Sequence, residues 1–201
     1  MPFGRVSPPN WDKETVYCLG GGPSLKNFDF NKLEGRKVVA VNNAVYSYSA
    51  SSAVVSVDCT WIEHNASTLP LSFTSEIALG VQEGVAVPNL EVTWLRWKQE
   101  PGLSLNPEVL NSPCTSGYAA VNYAVLKGAK RIILLGYDYC NAGKHWFKPY
   151  DWQSAADDTL YGLWAKQYNS MVPVLEQLGV TIWNSNPNSQ IKAFPWVEVK
   201  S

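Results

Sequence analysis

Three consecutive glycines followed by proline and serine form the most distinctive local pattern of the chain, Gly20-Gly21-Gly22-Pro23-Ser24. Glycine has no Cβ, so the backbone of such a turn can approach a ligand closely. Free N–H groups before a helix favour a phosphate or a sugar hydroxyl, and Pro23 presets φ for a helix start. The same residues could instead form only a tight connection between a strand and a helix. The pattern is neither a P-loop nor the dinucleotide-binding fingerprint, because the residues that would follow are absent.

Polar side chains also follow other apolar segments of the chain. The amide of Asn43 can both donate and accept, which suits a nucleobase or ribose, although an Asx-turn would use it equally well. Asp58 could hold a ribose or a metal, or could cap a helix over residues 59–65. Ser116 and Gly117 follow Thr115 at the start of an amphipathic segment. A hydroxyl cap at that helix start is compatible with a ligand oxygen at the same place.

His145, Tyr139 and Asp138 are the candidates for acid–base chemistry. A histidine next to cations and an aromatic ring can act as a general base or bind a phosphate, and Lys144 next to it could neutralise phosphate charge. His145 could also be a solvated loop residue. The second histidine, His64, lies in a predicted helix and is interpreted as structural. No Ser–His–Asp arrangement is supported by the sequence alone.

Apolar runs bounded by polar turns predict strands of a parallel sheet that is covered on both faces. The predicted strands are 15–19, 38–41, 53–57, 85–87, 91–95, 131–135 and 180–183. The predicted helices are 59–65, 118–127 and 156–178, the last with a kink at Pro173, and 101–113 is predicted to be a loop.

Alternating strands and helices favour right-handed βαβ crossovers. We therefore predict an α/β fold with a doubly wound, mostly parallel, Rossmann-like sheet. One domain spans residues 1–201, with residues 1–13 as a loose N-terminal arm. In such a sheet the ligand site lies at the carboxyl ends of the strands, where the polar residues named above are found.

Composition narrows the class of protein. The net charge is −1 and there is no basic run, which argues against a nucleic-acid groove. No apolar run is long enough for a membrane span, and the first residues do not resemble a signal peptide. The four cysteines are widely spaced and are interpreted as reduced thiols of a cytoplasmic protein. Nine tryptophans and ten tyrosines suit a core, or a pocket that stacks rings or sugars.

Several short motifs occur in one order along the chain. They are Cys18 to Lys26, Asp29 to Leu33, Val41-Asn42-Asn43, Thr115-Ser116-Gly117, Leu135 to Tyr139 and Pro187-Asn188-Ser189. Together they resemble the bacterial lipo-oligosaccharide sialyltransferases of glycosyltransferase family 42. They also resemble a related group that includes hydroxymethylpterin pyrophosphokinases. The opening turn and the Leu-Gly-x-Asp segment are the specific parts of the resemblance.

The resemblance implies a Rossmann-like glycosyltransferase fold that binds a cytidine nucleotide sugar without a metal. By position, Gly21 and Gly22 would line the nucleotide phosphate and Asn43 would contact the nucleotide. Ser116 and Gly117 would lie against it.

Further positions extend the resemblance or depart from it. Asn188 and Ser189 match a Pro-Asn-Ser stretch near the end of the family's chains. The family has an asparagine where this chain has Gly21, and a tyrosine where it has Cys140. The family's catalytic histidine is expected near residues 161–163, where this chain has none. His145 or Tyr139 could replace it.

Three functional hypotheses follow. The first is a metal-independent, nucleotide-sugar-dependent glycosyltransferase-like enzyme without a cofactor, whose donor could be CMP-linked. Residues 20–24, Asn43 and Ser116 would hold the nucleotide, and residues 139–148 would supply the acid, base and cation. The second is a Mg²⁺-dependent pyrophosphokinase acting on a small heterocycle, for which Asp58 and Asp138 are the only candidate carboxylates. The third is a non-catalytic protein, such as a phage could encode, that binds a nucleotide or another small ligand.

Overall fold

A computed structural model describes residues 3–65, 67–69, 75–87, 90–140, 145–147 and 157–199. These residues form a sheet of eight strands in the order β6-β5-β4-β3-β2-β1-β7-β8. All neighbouring strands are parallel. The strands are β1 Thr15–Leu19, β2 Lys37–Val41, β3 Ala53–Ser56, β4 Glu76–Val81, β5 Thr93–Lys98, β6 Val109–Asn111, β7 Arg131–Leu135 and β8 Thr181–Asn184. The predicted α/β fold with a doubly wound, Rossmann-like sheet is confirmed.

Helices cover both faces of the sheet. They are α1 Ala44–Ser47, α2 Cys59–Asn65, α3 Ser116–Leu126, α4 Asp158–Gln167 and α5 Val172–Leu178, with 3₁₀ turns at Pro23–Leu25, Phe30–Leu33 and Tyr168–Met171. Successive strand residues point to opposite faces, so Val16 and Cys18 pack with α3 and α5, whereas Tyr17 and Leu19 pack with α1 and α2. Burial on both faces explains why the strands read as continuous apolar runs. None of the helices in the described ranges has the length and apolar character needed to cross a membrane.

Helix α3 fixes part of the site because it packs against the centre of the sheet. Nearly all of its side chains are buried, and its N-cap Thr115 accepts a hydrogen bond from the Tyr118 N–H at 3.3 Å. The Val57 N–H, just past the end of β3, donates to Ser116 Oγ at 3.0 Å. The N-terminus of α3 is therefore held at the edge where the strands end, which we call the carboxyl edge.

Strand order reverses at β1, which lies between β2 and β7. Connections leaving β1 and β7 run to opposite sides at such a switch point, and a crevice opens between them. The turn Gly20–Gly22 follows β1 and Gly136–Tyr139 follows β7, so these two segments face each other across the crevice.

Several predicted boundaries were wrong. Residues 85–87 do not form a strand. Strands β4 and β6 were not predicted. Strand β6 was missed because it has only three residues and lies in a Pro-rich segment. Over the described residues, the helix predicted for 156–178 is two helices, α4 and α5, joined by a 3₁₀ turn. Pro173 lies in the first turn of α5. Backbone N–H groups in a first turn have no partner within the helix, so the missing N–H of proline costs nothing there and Pro173 does not kink the helix.

The N-terminal segment differs from the expected loose arm over its described residues 3–13. Val6 and Trp11 are each only 3% exposed. The Val6 N–H donates to the Pro107 carbonyl at 2.7 Å and the Trp11 N–H to the Lys127 carbonyl at 3.0 Å. Two buried side chains and backbone hydrogen bonds tie this segment to the domain.

Candidate functional site

A cavity of about 450 Å³ opens at the carboxyl edge, a size typical of small-molecule sites. Ten of the predicted site residues line it: Gly20, Gly21, Gly22, Pro23, Asp58, Ser116, Gly117, Asp138, Tyr139 and His145. Four others are not among its lining residues, namely Ser24, Asn43, Asn188 and Ser189. Lys144 lies outside the described residues. The structure therefore brings together, in one cavity, residues from distant parts of the chain.

The glycine turn uses most of its N–H groups internally. The Gly20 and Gly22 N–H groups donate to the carbonyls of Leu135 and Gly136, both at 2.8 Å. The Ser24 N–H donates to Asp138 Oδ2 at 2.7 Å. Within the described residues, the Gly21 N–H has no acceptor. The expected set of free amides is thus reduced to one in this turn.

Asp138 holds the glycine turn in place. Its carboxylate is 2% exposed and accepts from Ser24 Oγ at 2.6 Å and from Asn186 Nδ2 at 2.8 Å, besides the Ser24 N–H. A Cβ on Gly22 would lie 2.5 Å from Asp138 Cγ, so close that the turn or Asp138 would have to shift. Glycine at position 22 is therefore required by packing, and Asp138 positions the turn after β1.

The Pro-Asn-Ser stretch lies behind this assembly. Ser189 is buried, donates its hydroxyl to the Tyr137 carbonyl at 2.6 Å and accepts from Asn184 Nδ2 at 3.0 Å. Asn188 is exposed. Ser189 supports the chain that carries Asp138, and neither residue reaches the lining of the cavity.

Two adjacent asparagines after β2 have different environments. Asn43 Oδ1 accepts from the indole Nε1 of Trp61 at 2.8 Å, within the structure around α2. Asn42 lines the cavity with a left-handed backbone, φ 50°. Its Oδ1 is buried and has no hydrogen-bond partner in the part of the chain that the structure describes. Buried acceptors are almost always satisfied in proteins, so Asn42 rather than Asn43 has the free capacity to bind a ligand.

Two helix starts also border the cavity. Asp58 Oδ1 accepts from the Trp61 N–H at 3.0 Å, so Asp58 caps α2 as well as lining the cavity. Ser116 and Gly117 begin the 11-residue helix α3, and their N–H groups have no partner within the helix. They lie at the positive end of the helix dipole, which favours an anion.

Tyr139 belongs to a buried tyrosine cluster. Its hydroxyl lies 2.7 Å from Thr115 Oγ1 and 2.8 Å from the Tyr168 hydroxyl. Burial, with a further contribution from neighbouring Cys114, raises the pKa of Tyr139 well above its usual range. The hydroxyl is therefore neutral at physiological pH and cannot act as a base in its resting state.

His145 lies over the glycine turn. Its Nδ1 is 3.2 Å from the Gly21 carbonyl oxygen, and its ring stacks on Phe147 with centroids 5.0 Å apart and planes 6° from parallel. The neighbouring Trp146 donates from its indole N–H to the Gly20 carbonyl at 2.9 Å. His145 lines the cavity directly above the residue whose N–H is unpaired.

Sequence reasoning missed an aromatic wall that contributes much of the lining. It includes Trp97 of β5 and Phe147, together with Tyr161 and Trp164 of α4. Tyr161 and Trp164 are three residues apart on α4 and meet edge to face with centroids 5.4 Å apart. The high tryptophan and tyrosine content was the only signal of this wall in the sequence.

Cysteines contribute to the lining without forming a reactive centre. Cys59, Cys114 and Cys140 all border the cavity. Burial raises the pKa of the Cys114 thiol to about 11, so it stays protonated. Among the residues that the structure describes, no group of three or more His, Cys, Asp or Glu side chains is placed to hold a metal ion.

Comparison with known proteins gives the fold. No protein-family profile matches the sequence, and no curated protein sequence matches it significantly. The MAf glycosyltransferase from Magnetospirillum magneticum AMB-1 superposes with a TM-score of 0.64 at 13% identity, covering 99% of this chain and 35% of that one. The sialyltransferase CstII from Campylobacter jejuni, solved with the substrate analogue cytidine-5'-monophosphate, gives 0.55 at 16% identity, covering 92% and 85%.

This chain therefore spans about a third of the MAf glycosyltransferase and most of the length of CstII. Identities this low establish a shared fold and leave the activity open. The chain has a Rossmann-like α/β fold similar to that of two bacterial glycosyltransferases, one of them a sialyltransferase.

Proposed function

We propose that this protein binds a nucleotide sugar at the carboxyl edge and transfers the sugar to an acceptor hydroxyl without a metal. A cytidine monophosphate-linked sugar is the leading donor, since CstII was solved with cytidine-5'-monophosphate. The observation that carries the proposal is the set of polar groups that the protein leaves unsatisfied in residues that line the cavity. Within the described residues these are the Gly21 N–H, the first N–H groups of α3 and Asn42 Oδ1.

These groups suit the parts of a nucleotide. Backbone N–H groups at a helix N-terminus bind phosphate oxygens, and Ser116 and Gly117, which line the cavity, supply them. The Asn42 carbonyl oxygen needs a donor, which a ribose hydroxyl or an exocyclic amine provides. The cavity lies at the switch point of the sheet, where related α/β folds bind nucleotides.

In the proposed reaction the acceptor oxygen bonds to the anomeric carbon while the bond from that carbon to the nucleotide phosphate breaks. Negative charge develops on the departing phosphate, and fixed N–H donors stabilise it. His145 takes the proton of the acceptor hydroxyl as general base. Asp138 contributes indirectly by holding the glycine turn, because both of its oxygens already accept hydrogen bonds.

A Mg²⁺-dependent pyrophosphokinase is the less favoured function, because the cavity offers few carboxylates that could bind Mg²⁺. Of the two candidate carboxylates, Asp138 is committed to Ser24 and Asn186, and Asp58 to the first turn of α2. Two separated and engaged carboxylates are a poor Mg²⁺ site for phosphoryl transfer. A non-catalytic binding protein would have the same cavity. Only a measurement of sugar transfer can distinguish it from the proposed enzyme.

The binding test is thermal unfolding with cytidine monophosphate, CMP-linked and other nucleotide sugars, and ATP with and without Mg²⁺. A ligand at a hundred times its Kd adds about 2.7 kcal/mol of stability. Stabilisation by a nucleotide sugar in the presence of a chelator supports the proposal. Stabilisation only by ATP with Mg²⁺ favours the pyrophosphokinase, and no shift with any nucleotide rejects both enzymatic functions.

The catalytic test is the substitution His145→Asn, with His64→Asn as the matched control. His64 lies on α2 with its Nδ1 2.8 Å from the Thr60 carbonyl and does not line the cavity. Loss of a general base lowers turnover by roughly 10²- to 10⁴-fold while nucleotide affinity is kept. Unchanged turnover in His145→Asn would remove the proposed base, and absence of turnover in the wild-type protein that still binds the nucleotide would favour a binding protein.

A further inference from the structure

Trp97 lies next to the last residue of β5 and lines the cavity at the carboxyl edge. Its indole Nε1–H donates to the Ser112 carbonyl at 2.9 Å. Because this donor is already used, the indole offers the cavity its aromatic surface rather than a hydrogen bond. Among the aromatic pairs formed by the described residues, none includes Trp97. The ring of Trp97 is therefore suited to a flat ligand group.

The protein holds the Trp97 indole in place from two sides. A Cβ on Gly80 of β4 would lie 3.2 Å from Trp97 Cβ, so glycine at position 80 leaves room for the tryptophan. On the other side, Ser112 Oγ donates to the Thr115 carbonyl at 2.7 Å and accepts from the Thr115 N–H at 3.1 Å. Thr115 is the N-cap of α3. Trp97 is thus fixed relative to the start of α3 before any ligand binds.

The distance from the start of α3 to Trp97 suits a nucleotide. The start of α3 lies at the end of β3, because the Val57 N–H donates to Ser116 Oγ at 3.0 Å. Strand β5 is two strands from β3, which corresponds to roughly 10 Å across the sheet. A phosphate on the first N–H groups of α3 and a base on Trp97 are therefore separated by a distance that one nucleotide can span.

Other aromatic side chains of the cavity lie towards β7. Tyr139 follows β7, which is on the far side of β1 from β3 and β5. Its ring meets that of Tyr161 with centroids 6.0 Å apart, and Tyr161 meets Trp164 on α4. Phe147 lies over the glycine turn that follows β1. A base on the β5 side of the start of α3 therefore meets Trp97 rather than these rings.

We infer that Trp97 is the platform on which the base of the bound nucleotide stacks. This role rests on the proposed function, because it takes a nucleotide as the ligand. Stacking on an aromatic ring accepts any base, so Trp97 strengthens binding of the nucleotide without choosing the base. It also gives the nucleotide a direction in the cavity, with the base towards β5 and the phosphate at the start of α3.

The test compares the binding of cytidine monophosphate with that of ribose 5-phosphate, which lacks the base, by calorimetric titration in the presence of a chelator. We expect Trp97→Leu to lower the affinity for cytidine monophosphate about tenfold and to leave that for ribose 5-phosphate unchanged. Trp97→Phe keeps a ring but loses the bond to Ser112, and it should retain most of the affinity for cytidine monophosphate.

The matched control is Trp196→Leu. The indole N–H of Trp196 also donates to a backbone carbonyl, that of Ser185 at 3.2 Å, but Trp196 is exposed and is not among the lining residues. Its substitution should change neither affinity. Equal losses of cytidine monophosphate affinity in Trp97→Leu and Trp97→Phe would attribute the effect to the lost hydrogen bond and contradict stacking. So would an equal loss for both ligands in Trp97→Leu.

A second measurement needs no variant and applies even if Trp97→Leu does not fold. In the wild-type protein, nuclear Overhauser effects should connect the cytosine H5 and H6 protons to the Trp97 ring, and their absence from the complex contradicts the role of Trp97. Failure of the proposed function looks different. A wild-type protein that binds no nucleotide rejects both, whereas unchanged cytidine monophosphate affinity in Trp97→Leu rejects the stacking platform alone.

Discussion

Two groups of polar residues at opposite ends of the sheet differ in how far the protein itself supplies their hydrogen-bond partners. At the end where the strands begin, Lys127 is completely buried, yet its ammonium donates to Glu76 Oε1 at 2.8 Å and to Ser7 Oγ. It also lies 5.0 Å from the centroid of the Trp11 ring. Tyr123 completes the arrangement by donating to Glu76 Oε2 at 2.6 Å. We call these five residues the lysine cluster, and each of its polar side chains has a partner from within the protein.

The carboxyl edge keeps polar groups without partners. Among the residues that the structure describes, the buried Oδ1 of Asn42 and the N–H of Gly21 have no partner. Asn42 also has a left-handed backbone. An unsatisfied buried polar group costs about 1–3 kcal/mol. A ligand that bonds to Asn42 and Gly21 would remove this cost, so substitutions at the lysine cluster should change stability alone, and substitutions at the carboxyl edge should change binding.

The largest effect is expected at the lysine cluster. Glu76→Gln leaves the buried ammonium of Lys127 without a counter-charge and should lower the free energy of unfolding by about 3 kcal/mol. Urea unfolding measures this loss. Nucleotide affinity should not change, because Glu76 begins β4, at the opposite end of the sheet from the cavity.

Two comparisons sharpen this prediction. Lys127→Met should cost less than Glu76→Gln, because the Glu76 side chain is 45% exposed and can turn towards water, whereas that of Lys127 is 1% exposed. Glu100→Gln breaks the exposed pair with Lys98 and should cost under about 0.5 kcal/mol. Equal losses at Glu76 and Glu100 would contradict the role of the lysine cluster.

The ion pair between Glu76 and Lys127 also makes the stability of the protein depend on pH. Partial burial alone would raise the pKa of Glu76, but hydrogen bonds from Lys127 and Tyr123 outweigh it, so the pKa in the folded state lies below the ordinary 4.5. The carboxylate therefore stabilises the fold fully above pH 4.5 and loses this contribution as the pH falls through the folded-state pKa. The stability difference between the wild-type protein and Glu76→Gln should shrink at a pH below 4.5, and a constant difference would reject the assignment.

The second-largest loss of stability is expected in the glycine turn, which lies at the carboxyl edge of the sheet. In Gly22→Ala the new Cβ would meet Asp138 Cγ at 2.5 Å and the Gly136 carbonyl at 2.6 Å. Such overpacking should cost about 2 kcal/mol and weaken nucleotide binding as the turn moves. Gly162→Ala, in open space on α4, should instead gain up to about 1 kcal/mol. Thermal unfolding and nucleotide titration of both variants check this, and a Gly22→Ala protein as stable as the wild type would contradict it.

The sequence predicted the central strands well because β1, β2, β3 and β7 are buried on both faces, and continuous apolar runs identify such strands. It failed for β4 and for the edge strand β6. Glu76 opens β4 with a charge whose partner, Lys127, is distant in the chain, and β6 is three residues long. Short segments, and segments that begin with a charge, become strands through pairing with their neighbours, and no local sequence pattern shows that pairing.

For the site, the glycine turn and the strand ends were predictable because topology gathers the ends of parallel strands at one edge. The aromatic wall was not, since Trp97 reaches the cavity from β5 and Trp164 from α4. Nor could sequence decide between Asn42 and Asn43. Both residues are asparagines, and only the fold shows that Asn42 lines the cavity whereas the Asn43 side chain accepts from the Trp61 indole.

Substitutions at Asn42 and Asn43 should have the smallest effects, and they separate a change in binding from a change in stability most clearly. Asn42→Gly suits a left-handed backbone, so stability should change by less than about 0.5 kcal/mol, while nucleotide affinity should fall roughly tenfold, equivalent to about 1.4 kcal/mol. Asn43→Ala removes the acceptor of the Trp61 indole and should cost about 1 kcal/mol of stability with affinity retained. Urea unfolding and calorimetric titration on both variants measure the two quantities. The reverse pattern, with binding lost only in Asn43→Ala, would show that the unpaired Asn42 oxygen does not face the ligand. The contrast with the lysine cluster would then rest on the backbone N–H groups of Gly21 and of the start of α3.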